Sequence, residues 1–359
     1  MQDFARRGVC EAAPEQAGMI VISTFYTRKE QTIRVGYWCR SIIIEFISSG
    51  VLHSRTGGLQ PWQWLVIITG LLTLITAVAF WFMFLDSPTT AWFPAPEERV
   101  TAVQLVMCKA RLEALRLFYE ALLDPKTWLF ALFSALDNVP NSLTNQQQLI
   151  MASFRFTSLQ MMLLAMVSGV VEIVTIFTGV HIASYFTNAR AYVGVIYLIP
   201  TLLGILLVNL LPWTDKVGLL IGQWVTTISV TAFVLQLSWI TNVTAGHTKK
   251  VTVNAIMLIA YCVVNAAVPF TWQAKYVLRQ AVPWTVIGIC YACCMVILFI
   301  ISFLLWRENK RRDAEPPDTK YDDVYIEVTL PDGSRVERKV QKEYLDLTDI
   351  QNHDFRCVL

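Results

Sequence analysis

Asp137, Asn138, Pro140, Asn141 and Asn145 stand together after an apolar stretch. A proline among asparagines breaks a helix. A break inside lipid is tolerated only where protein or a water-filled cavity satisfies the freed backbone groups. Two readings of the cluster follow: its amides donate to a ligand carboxylate, or it is a kink capped by its own asparagines. Glu172 lies between Val171 and Ile173. Burial raises the proton affinity of a carboxylate, so Glu172 is either a proton carrier or a hydrogen-bonded strut to a neighbouring helix. Asn254, Tyr261 and Asn265 are spaced by seven and four and share one helix face. That face lines a cavity or joins two helices. His247 precedes Lys249 and Lys250 with no metal-ligating neighbour, which points to loop packing or gating.

The eight cysteines form neither a disulfide framework nor a zinc spacing. Cys290, Cys293 and Cys294 sit in an apolar run and read as small packing residues. Paired catalytic acids, a nucleophile with its base and a metal cluster are all missing from the sequence pattern, so an enzyme is not expected, nor a cofactor.

The elements that position these residues follow from composition. Of 359 residues, 55% are hydrophobic and 16% charged, and the mean hydropathy is +0.49. Soluble proteins carry about a quarter charged residues. Between positions 127 and 306 only ten charged side chains occur, whereas the 53 residues from Arg307 onward hold 23. The pattern is that of a membrane body with a solvated tail. A net charge of +2 gives no sign of nucleic-acid binding.

A membrane helix needs about 20 largely apolar residues. Runs at 35–52, 62–85, 127–154, 157–186, 191–214, 217–241, 251–274 and 283–306 qualify, with a weaker ninth at 8–26. Between them Pro96-Glu97-Glu98 opens an amphipathic connector helix marked by Leu105, Cys108, Leu112, Leu115 and Leu122. In the tail, alternating residues on either side of Pro331-Asp332-Gly333 predict a β-hairpin. Lys and Arg favour cytoplasmic loops. With the tail inside, ten of them (Arg28, Lys29, Arg34, Arg190, Lys249, Lys250, Arg307, Lys310, Arg311 and Arg312) fall inside, against five outside. This orientation places the sequon at Asn242 in the cytoplasm, where it receives no glycan.

Several short patterns together carry a resemblance. Leu85-Asp86-Ser87-Pro88 with Pro96-Glu97-Glu98-Arg99 is similar to the exit of the sixth helix in fungal major facilitator permeases. Ala245-Gly246-His247-Thr248-Lys249-Lys250, followed by Asn254, Tyr261-Cys262 and Asn265, resembles the loop before their eleventh helix and that helix itself. The stretch from Gly179 to Arg190 resembles the loop motif that the superfamily repeats, and Leu345-Asp346-Leu347-Thr348-Asp349 with Phe355-Arg356 fits the ending. The group resembled is the allantoate permease-like anion:cation symporters, which include nicotinate and pantothenate carriers.

The resemblance implies an all-α polytopic major facilitator fold of twelve helices, two six-helix halves rocking about a central site. This chain aligns from the fourth helix onward, so an N-terminally truncated fold with about eight or nine helices is expected. The expected parts are a partial N-terminal bundle at 1–90, a cytoplasmic connector at 91–126, a six-helix bundle at 127–306 and a cytoplasmic tail at 307–359. The implied function is proton-coupled uptake of a small organic anion, such as a carboxylate vitamin or allantoate, across the plasma membrane. The alternative is a transport-inactive paralogue that at most pairs with an intact permease. Substrate contacts are expected from Asp137, Asn138, Asn141, Asn145, Asn254, Tyr261 and Asn265, and proton coupling from Glu172. Gly179, Asn188, Arg190 and His247 are the expected conformational-switch residues. Lipid is the expected surrounding, with no nucleic-acid partner.

Overall fold

The computed structural model describes residues 61–83, 111–140, 158–186, 188–212, 214–268, 281–315, 325–329, 335–339, 348–351 and 355–358. The expected spans at 8–26 and 35–52, the connector start at Pro96, and Asn141 and Asn145 lie outside them.

The described residues form helices α1 (Pro61–Met83), α2 (Arg111–Leu123), α3 (Pro125–Asn138), α4 (Ser158–Tyr185), α5 (Arg190–Leu210), α6 (Lys216–Thr226), α7 (Val230–Val243), α8 (His247–Ala267) and α9 (Ala281–Asp313). Strands β1 (Tyr325–Thr329) and β2 (Arg335–Lys339) pair antiparallel, with Glu327 opposite Glu337, which is the expected hairpin. Five segments are long and apolar enough to cross a membrane: Met166–Tyr185, Arg190–Leu210, Lys216–Val243, Thr248–Ala267 and Val282–Asp313. Each overlaps a run expected from sequence.

Polar side chains inside these helices bond to their own backbone. Thr69, Thr73 and Thr76 of α1 donate to the carbonyls of Leu65, Thr69 and Leu72 at 2.8, 2.8 and 3.0 Å. Thr175 and Thr178 of α4 do the same to Val171 and Val174. In lipid no water is available to these hydroxyls, and the carbonyl one turn back satisfies them.

The expected span 217–241 is not one continuous α-helix. A 3₁₀ turn at Thr227–Ser229 separates α6 from α7. Around it Thr226, Thr227 and Ser229 donate to the carbonyls three residues earlier, at 2.7, 2.6 and 3.0 Å. Hydroxyls that compete for the backbone in this way tighten the helix locally.

α5 packs against α6, α7 and α9, α3 packs against α8 and α9, and α4 packs against α7. The core lies between them, around Phe130, Phe133, Trp239, Trp284 and Tyr291, all at most 2% exposed. The rings of Phe130 and Trp239 meet edge to face at 5.6 Å. At the α5–α6 crossing, a β-carbon on Gly204 would lie 2.7 Å from the Gly222 carbonyl oxygen, so backbone meets backbone there. Small residues permit such approaches between membrane helices.

The connections at 186–189, 211–215 and 244–246 are short, so successive helices run antiparallel. The starts of α5 and α8 and the ends of α4 and α7 therefore share one end of the bundle, and the start of α3 and the end of α9 join them there through shared contacts with the tail. α9 has 33 residues, about 50 Å at 1.5 Å per residue. A hydrocarbon core is about 30 Å thick, so its last turns, with Lys310, Arg311 and Arg312, project beyond that end.

Candidate functional site

α3 starts where Asp124 caps it, accepting from the Lys126 amide at 3.0 Å, with Pro125 at its first position. It ends at Asn138, immediately before Val139-Pro140, which is where the sequence predicts the break. Asn138 Nδ2 donates to the Ser134 carbonyl at 2.7 Å. That amide is thus spent on its own helix, as in the capping alternative. Asp137 is different. It is 8% exposed, and its Oδ1 has no hydrogen-bond partner among the described residues.

The groups around Asp137 come from α9 and from the 3₁₀ interruption. Tyr291 and Cys294 lie within electrostatic reach of it. The Tyr291 hydroxyl donates to Ser229 Oγ at 2.7 Å, so the helix interruption supplies a polar atom to the bundle interior. Nearby on α7, Gln236 Nε2 contacts the Phe130 carbonyl at 3.4 Å and Met257 Sδ at 3.7 Å. Its Oε1 is buried without a partner among the described residues, as is Thr231 Oγ1. A buried carboxylate facing a tyrosine hydroxyl that is itself paired with a serine can take up a proton or receive a polar ligand. Tyr291, Ser229 and Gln236 were not expected from sequence. Tyrosine, serine and glutamine in apolar runs were the available signal.

Glu172 is half-buried in the middle of α4, and forms no ion pair among the described residues. On α8, Asn254 is buried, whereas Tyr261 and Asn265 are half-buried and joined through the Asn265 Nδ2 bond to the Tyr261 carbonyl at 3.0 Å. α8 packs on α3, so these positions and Asp137 lie on neighbouring helices.

Of the expected switch residues, Gly179 packs α4 against α7. A β-carbon there would lie 2.3 Å from the Thr231 methyl. Asn188 takes the left-handed conformation with φ 63°, which asparagine tolerates better than most residues. It turns the chain into α5, whose first residue, Arg190, is buried. His247 is the first residue of α8 and follows Gly246, whose φ is 84°.

A second cluster, unexpected from sequence, lies at the shared bundle end. Lys249 Nζ is 2.9 Å from Asp124 Oδ2, 3.2 Å from Glu120 Oε1 and 2.8 Å from Asp349 Oδ1, the last an ion-pair contact not aligned as a hydrogen bond. Lys126 Nζ is 2.6 Å from Asp349 Oδ2 and 3.6 Å from Asp124 Oδ2. Burial alone would raise the Asp349 carboxyl, but the two lysines hold it below its ordinary value. Burial alone would lower the Lys126 ammonium, and Asp349 and Asp124 reverse this, so it is raised. Lys249 and Asp349 both lie in the short patterns that carried the family resemblance. No local spacing joins residues 100 positions apart.

The comparisons agree with the helical architecture. The model for the Major Facilitator Superfamily matches residues 7–269. An uncharacterized transporter of Schizosaccharomyces pombe is 26% identical over 97% of this chain and 64% of its own length. The allantoate permease of Saccharomyces cerevisiae is 28% identical over 98% of this chain and 66% of its own length. The high affinity cysteine transporter of the same yeast is 28% identical over 86% of this chain and 62% of its own length. The chain thus spans about two thirds of the length of these curated relatives, which are transporters and not enzymes. With a family model matching most of its length, the chain belongs to the Major Facilitator Superfamily and resembles fungal permeases of the allantoate permease kind.

Proposed function

We propose that the protein is a secondary active carrier that moves a small organic anion together with a proton. The observation that carries this reading is Asp137. It is a buried carboxylate with an unspent oxygen, at the point where α3 ends before Val139-Pro140 and packs against α8 and α9. Interrupted helices are the best pointer to the site in secondary transporters, and buried ionisable groups inside a membrane are functional by default. Asp137 and Asn138, with Asn141, Asn145, Asn254, Tyr261 and Asn265, are the proposed substrate side. Glu172 is the proposed proton carrier. Two halves, 1–90 and 127–306, joined through 91–126, rock about this site. The basic residues at the end where α8 begins and α9 finishes favour the cytoplasm for that end and for the tail. The allantoate permease relative suggests a carboxylate or ureide-bearing anion as cargo, and the plasma membrane as location.

The test is uptake by cells that make the chain, with labelled allantoate and a panel of small carboxylates between pH 5 and 8. Uptake that rises with proton concentration is expected. Asp137→Asn should lower uptake about tenfold or more: protonated Asp137 donates to the cargo carboxylate in a charge-assisted contact of about 1.5–3 kcal/mol, whereas an amide donates more weakly and cannot release a proton. Glu172→Gln should flatten the pH dependence. Unchanged pH dependence in Glu172→Gln removes its proposed role. No uptake of any carboxylate by a correctly inserted chain favours the transport-inactive reading.

A further inference from the structure

The described tail residues 348–351 and 355–358 are held by the bundle, and they meet the connector helix α2 at a single ammonium. Phe355 and Cys357 are 7% and 3% exposed and belong to the same apolar cluster as Trp239. Side chains of α7 and α9 grip the backbone of this segment. Trp239 Nε1 donates to the Val358 carbonyl at 2.6 Å, and Arg312 Nη1 donates to the Phe355 carbonyl at 2.7 Å. Asn309 uses both ends of its amide, donating to the Cys357 carbonyl at 2.7 Å and accepting from the Cys357 amide at 2.9 Å. Upstream, Thr348 and Gln351 exchange hydrogen bonds at 3.2 Å and fix the turn that aims Asp349 inward.

Asp349 then reaches Lys126 and Lys249, and its side chain is 1% exposed. Lys249 is equally buried, and it holds Glu120 of α2 and Asp124, the residue between α2 and α3, as well. Gly246, in a left-handed conformation, starts α8 at the place that brings Lys249 there. Two ammoniums thus face three carboxylates, two from the stretch 120–124 and one from the tail. A buried charge stripped of its partners is costly, so each segment that leaves must expose its carboxylate to water.

We propose that Lys249 is a pin holding two separate segments on the bundle, the connector helix α2 and the tail residues 348–351 and 355–358, and that these tail residues form a strap closing over that pin. α2 consequently rides with the bundle as one body, and the strap comes free from it without α2. The inference stands on these contacts alone and does not depend on cargo or on proton coupling.

The experiment uses the full chain in lipid nanodiscs with two readouts. Labelling of Cys357 by a maleimide, read on its own peptide by mass spectrometry, reports the strap. Hydrogen exchange over 111–124 reports the connector helix. Asp349→Asn should speed Cys357 labelling about tenfold or more and leave exchange over 111–124 unchanged, because Lys249 keeps Glu120 and Asp124. Lys249→Gln should speed both by about tenfold or more. The paired change Glu120→Gln with Asp124→Asn keeps the α3 cap through asparagine, and should loosen α2 while Cys357 stays protected. This third variant keeps the test decisive if Lys249→Gln does not fold. Cys357 labelled in the unaltered chain as fast as in the denatured one overturns the strap. Equal loosening of α2 by Asp349→Asn, or loss of Cys357 protection in the Glu120/Asp124 variant, overturns the separate holding.

Discussion

Asp349 is the residue on which the strap depends, and its protonation sets the pH range in which the strap holds. The groups facing it are Lys126 from α3 and Lys249 from α8, with Glu120 of α2 and the α3 cap Asp124 behind them and Cys357 in the strap. The Asp349 carboxyl lies below its ordinary value of about 3.9. Its contribution is therefore complete above that ordinary value and is lost only as pH falls through the lowered one. The Lys126 ammonium is raised, so its contribution is complete below its ordinary value of about 10.4 and fades only at higher pH. Burial raises the Cys357 thiol above its ordinary value of about 8.5, so the released strap gains by ionising above that value. Strap docking should accordingly be flat from about pH 5 to 8 and weaken at higher pH. Hydrogen exchange over 355–358, corrected for its intrinsic pH dependence, checks this, and a midpoint near neutrality would point to another titrating group. Replacing Asp349 with alanine should cost about 3 kcal/mol, the lower end for one member of a buried ion pair, because Lys249 keeps two other carboxylates.

Helix packing sets a different pair of expectations. At the α5–α6 crossing, Gly204→Ala would place a methyl against the Gly222 carbonyl, and a carbonyl cannot rotate away as a side chain can. The helices must separate, at a cost of about 1–3 kcal/mol. Gly70 of α1 has open space within 4 Å, so Gly70→Ala should be neutral or stabilising by about 0.5–1 kcal/mol. Thermal unfolding of both variants in the same detergent checks the contrast, and equal shifts would remove the close-contact account. The elements themselves were largely legible in the sequence. Apolar length alone located α4, α5, α8 and α9, because lipid demands about 20 apolar residues whatever they pack against. Asn-Val-Pro-Asn located the end of α3, because proline removes a backbone donor. The 3₁₀ turn at Thr227–Ser229 was hidden. Threonine and serine satisfy their hydroxyls on the local backbone, so the run stays apolar enough to read as one helix. The pin was hidden for another reason. Lys249 and Asp349 are 100 residues apart, and a lysine pair at a helix start looks like any solvated charge.

At the scale of the whole molecule, the question is which end faces the cytoplasm, and the fold removes one apparent marker while supplying better ones. The sequon at Asn242 seems to report sidedness. Yet Asn242 lies inside α7 with no exposed surface, and its Nδ2 donates to the Ser238 carbonyl at 2.6 Å. Glycosylation needs an exposed, extended acceptor, so Asn242 stays unmodified whichever way the chain inserts. Informative positions must be exposed and lie at opposite ends of the bundle. Thr214 and Asp215, between α5 and α6, are exposed at one end. Arg356 is exposed at the other, where it pairs with Asp313 at 2.7 Å. The basic groups are unequally divided between these ends. Among the described residues, Lys216 lies at the first, and Arg190, Lys249, Lys250, Arg307 and Lys310 to Arg312 lie at the second. Since lysine and arginine are retained on the cytoplasmic side, the second end is expected there. In a background without the native cysteines, Thr214→Cys should react with a membrane-impermeant maleimide added to intact cells, whereas Arg356→Cys should react only after permeabilisation. The reverse pattern would invert the orientation and put the strap and its Lys249 pin on the outer face, with the internal contacts of the bundle unchanged.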